Sequence, residues 1–185
     1  MASMKNIALL LGMILFAALS RLIPHVPNVT AITATALLAG AYLPNRTYAV
    51  FAPLAALWLS DLFLGFHSTL LFVYASVAVI ALLAPHGKPN WLKLGLSSFA
   101  ASLLFFVVTN FGVWLMDSFY PKTAVGLVDC YVMALPFFGT QVVGDLLYTL
   151  ALFGTVQVLF AWKPEFSPQL DPKNSEAQIN VSTKI

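Results

Sequence analysis

Charge is what this chain has least of: Asp, Glu, Lys and Arg make up 9% of 185 residues, against roughly 25% in an ordinary soluble domain. With 60% hydrophobic residues, that scarcity excludes a typical soluble protein and points to one embedded in a membrane. A net charge of only +2 gives no footing for nucleic acid as a partner. Cys130 is the single cysteine, so no internal disulfide forms, and no Cys/His set has zinc-site spacing. The redox compartment is thereby left open, and no metal is expected. Catalytic signatures are missing as well: there is no His-Glu-x-x-His, no Gly-x-Ser-x-Gly elbow, no Walker loop and no Gly-x-Gly-x-x-Gly. The expectation is a protein that is not an enzyme and carries no cofactor. A membrane enzyme built on Asp61, Asp145 and His67 would have no diagnostic spacing behind it.

What the chain does have is apolar runs punctuated by Pro, Gly, Asn and Lys. They predict an all-α, polytopic membrane helix bundle with six spans over residues 6–23, 26–43, 48–66, 68–84, 91–116 and 140–162, each near the roughly 17–25 residues that cross a hydrocarbon core. Lys5 followed by an apolar run ending Ala17-Ala18-Leu19-Ser20 resembles a cleaved signal peptide. The length of that run, and its direct continuation into further membrane-type sequence, favour a span instead. Pro24 and Pro27 bracket the first loop, Pro44-Asn45 ends the second span, and Ser68 or Thr69 can cap the fourth. Pro53 is expected to kink the third span before Asp61. Residues 120–139, broken by Pro121, Gly126, Asp129 and Pro136, read as a short interfacial or re-entrant helix before the last span. Residues 1–162 thus form one transmembrane domain, and the polar residues 163–185 a disordered tail.

Cytoplasmic loops carry the Lys/Arg excess. Six spans collect Lys5, Arg46, Lys88, Lys93, Lys163, Lys173 and Lys184 on one side, leaving Arg21 and Lys122 on the other. Both termini are therefore expected in the cytoplasm. At about 1.5 Å of rise per residue, Arg21, Asp61 and Asn110 lie roughly 20–28 Å up their helices, and Asp145 about 7 Å in from the outer end of the last span. That places polar groups from separate helices in a common layer, beneath a first loop with His25 and Asn28 and a second with His67.

An ionisable group in a span costs roughly 2.5–3.5 kcal/mol on insertion scales and needs a reason to be there. The functional reading is a ligand cavity open to the outside. Arg21 offers a cation, Asp61 and Asp145 accept hydrogen bonds, and Asn110 can donate or accept. Trp58, Trp114 and Tyr148, each about one turn from a polar residue, supply walls. The alternative is that Arg21, Asp61 and Asp145 only neutralise one another as helix–helix glue. The histidines then sit at the interface, and Cys130 is an inert thiol. Small-residue faces at Ala8-x-x-x-Gly12, at Ala36 with Ala39 and Gly40, and at Gly95 with Ser98 and Ser102 serve close packing, or one of them docks a partner.

Ser20-Arg21-Leu22-Ile23-Pro24, Leu38-Ala39-Gly40-Ala41-Tyr42-Leu43, Leu59-Ser60-Asp61-Leu62 with Gly65, Thr109-Asn110-Phe111-Gly112-Val113-Trp114 and Gly144-Asp145-Leu146-Leu147-Tyr148 together resemble the substrate-binding S components of energy-coupling-factor vitamin transporters. They resemble most closely an uncharacterised bacterial membrane family of the same layout. The likeness covers residues 6–162. It implies a bacterial inner-membrane protein that captures a small water-soluble micronutrient at its outer face, with Arg21, Asn28, Trp58, Asp61, His67, Asn110, Trp114, Asp145 and Tyr148 around the ligand. It also implies a transmembrane coupling subunit with ATPases as partner. Such proteins dock through Ala-x-x-x-Ala in the first span, where this chain has Ala8-x-x-x-Gly12. A loop cysteine used on the metal by cobalamin-type members has no counterpart, since Cys130 lies in another loop. The runner-up function is a structural or accessory subunit of a larger membrane complex.

Overall fold

The computed structural model describes residues 4–24, 26–43 and 45–162. His25, Pro44 and the expected tail lie outside the described residues. The secondary structure within them is helical: α1 (Met4–Leu22), α2 (Ile32–Tyr42), α3 (Arg46–Leu64), α4 (Leu70–Leu83), α5 (Trp91–Met116) and α6 (Ala124–Trp162).

α2 is the axis of the bundle. Every residue of Ile32–Tyr42 is buried, and α1, α3, α4, α5 and α6 all pack on it. Around it the order is α1, α3, α4, α5, α6, each on the next, and α1 meets α6 through the Phe16 and Tyr148 rings. Residues small enough to let helices close up explain the central position. A Cβ on Gly40 would lie 2.5 Å from the Ala81 carbonyl, so α2 and α4 touch through backbone there. The Arg46 guanidinium ties off the same corner, its Nη1 donating to the carbonyls of Ala84 at 3.2 Å and Ala81 at 3.4 Å.

The helix ends are mostly those that side-chain chemistry predicts. Asn45 Oδ1 accepts from Thr47 N and Asn90 Oδ1 from Lys93 N, both at 2.8 Å. α3 runs on through Pro53 and stops at Gly65, whose φ of 90° suits a residue without a Cβ. Thr69 occupies the N-cap position of α4 but makes no side-chain cap bond. Ser68 instead donates to Asp117 Oδ1 at 2.5 Å, tying the α3–α4 loop to the end of α5.

The helical bundle is as expected, six crossing helices are met only in part, and one expectation changes. Among the described residues three helices, Arg46–Leu64, Trp91–Met116 and Ala124–Trp162, are long and apolar enough to cross a membrane, whereas Ala8–Leu22, Ile32–Tyr42 and Leu70–Leu83 are shorter apolar helices. α2 is the clearest case. Its 11 residues rise about 16 Å, because residues 26–31 form a loop, with Asn28 at φ 64°, instead of a helical turn. The change is that no separate interfacial or re-entrant helix precedes the last span. Residues 124–139 are the first part of one 39-residue helix running through Pro136. They are held against the second half of α5: Tyr131 Oη donates to the Val107 carbonyl at 2.7 Å, and Phe106 packs on Tyr131 and Phe138. That packing outweighs the single backbone donor that proline removes.

Leu71, Leu83, Leu92, Val125 and Val158 are among the many large apolar side chains left exposed around the bundle. Such a surface suits lipid and not water.

Candidate functional site

Arg21 ends α1, and Asp61 lies one turn before the end of α3. Arg21 Nη1 stands 2.7 Å from Asp61 Oδ1, and also donates to Ser60 Oγ at 2.6 Å and the Leu57 carbonyl at 3.2 Å. Asp61 is 1% exposed, and its Oδ2 accepts from Tyr74 Oη of α4 at 2.9 Å. One ion pair and one tyrosine hydrogen bond thus clamp three helices. Its Oδ1 has the charge contact with Arg21 but no hydrogen bond of good geometry.

Beside this clamp lies a cavity of about 200 Å³, lined by Arg21, Asn28, Thr30, Ile32, Thr33, Leu57, His67, Val73, Phe105 and Gln141. Asn28 and His67 come from the exposed loops before α2 and α4, so the cavity sits under the loops. His67 Nδ1 lies 3.2 Å from Thr69 Oγ1. The loop before α2 rests on α6, for a Cβ on Gly144 would lie 2.8 Å from Val29.

Asp145 belongs to a second polar cluster, one residue behind the cavity wall. It is 1% exposed; Ser102 Oγ lies 2.7 Å from its Oδ2, Gln141 Nε2 is 3.5 Å from the same atom, and the Thr33 side chain stands beside the carboxylate. Gln141 and Thr33 face both the cavity and the carboxylate. Further along, Thr149 Oγ1 reaches Ser98 Oγ at 3.4 Å.

The structure therefore brings together Arg21, Asp61, Asn28 and His67, and sets Asp145 one contact away. The other expected residues lie elsewhere. Trp58 turns outward and is 55% exposed. Asn110 Nδ2 donates back to the Phe106 carbonyl at 2.8 Å, one turn earlier on its own helix. Trp114 Nε1 donates to the Pro121 carbonyl at 2.9 Å, and Lys122 Nζ lies 5.8 Å from the Trp114 ring centre, so this tryptophan fastens the α5–α6 loop. Tyr148 packs edge-on against Phe16, with centroids 6.4 Å apart. Asp145 shares no layer with Asn110 either, since its partner on α5 is Ser102, about 12 Å further down that helix.

Thr33, Gln141, Ser102 and Tyr74 are participants that a search for charged residues passes over. Gln141 carried a readable signal, lying one helical turn before Asp145 on the same face.

A second opening, an apolar groove of about 310 Å³, lies between α1 and α6. Ala8, Gly12, Phe16, Thr35, Leu152 and Phe160 are among its walls. Among the described residues, Thr35 Oγ1 and Tyr42 Oη are buried without a hydrogen-bond partner, and Thr35 is one of the groove's lining residues.

Comparison with curated proteins and with solved structures gave no match. The chain belongs to the family of unknown function DUF6580, whose model matches residues 1–170.

Proposed function

We propose that this protein captures a small water-soluble metabolite in the polar cavity beneath its two loops, in the manner of an S component of a nutrient-uptake system. The supporting observation is the cavity itself: an apolar bundle has closed around Arg21, Asn28, Thr33, His67 and Gln141 without filling the space between them. At about 200 Å³ it falls below the roughly 300–1,000 Å³ typical of drug-sized ligands, which favours a single-ring metabolite. Arg21 is already neutralised by Asp61, so the lining recognises its ligand through hydrogen bonds more than through net charge. The setting is a bacterial inner membrane, with both termini in the cytoplasm and the cavity facing out.

Binding of a panel of vitamins and their ring precursors to purified protein tests this. Wild type should bind one class, and Thr33→Val or Gln141→Leu should weaken binding about ten-fold or more, as expected when a buried ligand hydrogen bond of roughly 1.5 kcal/mol is lost. A folded protein that binds nothing in the panel, or binds equally well in both variants, would count against the cavity.

A second reading, an accessory or docking subunit, is favoured by the groove along α1. Gly12 has open space where its Cβ would stand, and the unpartnered Thr35 hydroxyl lies on the groove wall. A helix of a transmembrane coupling subunit would fit there. Co-purification in mild detergent of wild type, but not of Gly12→Phe, is the expected sign.

A further inference from the structure

Ser102 has one hydroxyl proton and two acceptors in reach. Its Oγ lies 3.0 Å from the Ser98 carbonyl, the usual partner for a serine inside a helix, and 2.7 Å from Asp145 Oδ2. Both distances are hydrogen-bond distances, and one proton fills both only as a weaker, shared bond. If Ser102 donates to its own helix, the proton in the shorter contact comes from the carboxyl group.

The surroundings agree with a neutral acid. Asp145 is 1% exposed, and no Lys, Arg or His of the described residues pairs with it. Between Lys93 and Asp117 α5 has no ionisable side chain, and α2 has only Tyr42 at its far end. Across the cavity Arg21 is taken by Asp61, and His67 stands in the exposed loop. An isolated carboxylate in such a place costs several kcal/mol, whereas the neutral acid needs only hydrogen-bond partners.

We propose that Asp145 is a proton-binding site that exchanges one proton with water, and that its charge is felt in the polar cavity through Gln141. Proton uptake converts a carboxylate into a carboxylic acid, and release restores the negative charge, with no other bond made or broken. The charge state is transmitted to the cavity by one side chain. Gln141 Nε2 stands 3.3 Å from the Ser102 carbonyl and 3.5 Å from Asp145 Oδ2, poised between a neutral acceptor and one that becomes anionic. Ionised Asp145 draws this amide toward itself and changes the cavity wall. The site is defined without reference to any ligand, so it stands or falls separately from metabolite capture.

Infrared difference spectroscopy on ligand-free protein in detergent tests it. Wild type minus Asp145→Asn should show the carbonyl stretch of a carboxylic acid, which gives way to carboxylate bands as the pH is raised. Ser102→Ala, which removes one hydrogen bond, should shift that carbonyl band while leaving the fold intact, and serves if Asp145→Asn does not fold. Carboxylate bands at every pH, or an acid band that neither substitution alters, would overturn the assignment. So would a melting temperature raised by sodium but not potassium together with no acid band, which would make Asp145 a sodium ligand.

Discussion

Asp61 and Asp145 are equally buried, each 1% exposed, but their environments differ. Asp61 has a cation, a tyrosine hydroxyl and a place at the junction of three helices. Among the described residues, the side chains hydrogen-bonded to Asp145 are the neutral Ser102 and Gln141. Removing one partner of a buried pair strands the other, typically at a cost of about 3–5 kcal/mol, whereas replacing both with apolar groups is often close to neutral. Asp61→Ala should therefore lower the melting temperature clearly, and Arg21→Met combined with Asp61→Leu should recover most of the loss. Thermal unfolding in detergent of the single and double variants measures this non-additivity. Trp58 is the contrasting residue. Sequence spacing sets it about one turn from Asp61, but three residues still leave the two side chains about 60° apart around the helix, and 55% of Trp58 is exposed. The pairing of Arg21 with Asp61 could be read from charge and depth; the direction of each aromatic ring could not, since that depends on which helix lies alongside.

Among the elements, α2 shows how small residues decide position. Gly40→Ala should force α2 and α4 apart, because the new Cβ would meet Ala81 and Ala84. A loss of about 1–3 kcal/mol is expected from overpacking. Gly95→Ala makes the opposite case: nothing lies within 4 Å of the added Cβ, and the gain in helix propensity should stabilise by up to about 1 kcal/mol. Melting curves of the two variants should move in opposite directions. The α6 helix marks where reading the sequence alone fell short. Pro136, Gly126 and Asp129 suggested a break, yet the second half of the long α5 offered a surface on which residues 124–139 could remain helical. Taking Thr140 as the outer end of the last span put Asp145 about 7 Å deep, but it lies some 32 Å along the actual helix from Ala124. Local breaking signals were legible, and the long-range packing that overrides them was not.

For the whole molecule, the two ends of the bundle differ in kind. Arg46, at one end, binds only backbone carbonyls and holds α2 and α4 together. Arg21, at the other, has a carboxylate partner and borders a cavity. If the Lys/Arg bias sets orientation, reporter fusions at both termini should report cytoplasm, and a membrane-impermeant amine reagent should reach Lys122 from outside. A C-terminal fusion reporting the outer side would remove the assignment of the cavity to the outer face. Composition alone was enough to point to a helical protein with helices apolar enough to cross a membrane. The number of crossing helices was less legible, because an apolar run such as α2 can be buried by its neighbours as readily as by lipid.

The central claim is that the space between Arg21, Thr33, His67 and Gln141 holds a ligand. Its most direct test is a high-resolution density map of protein purified gently from its native membrane. The expected result is density for a small organic molecule in the cavity, within hydrogen-bond distance of Thr33 and Gln141 and bordered by His67. A cavity containing only ordered water, or one closed by side chains with the Arg21–Asp61 pair intact, would contradict it and leave that pair as a helix clamp.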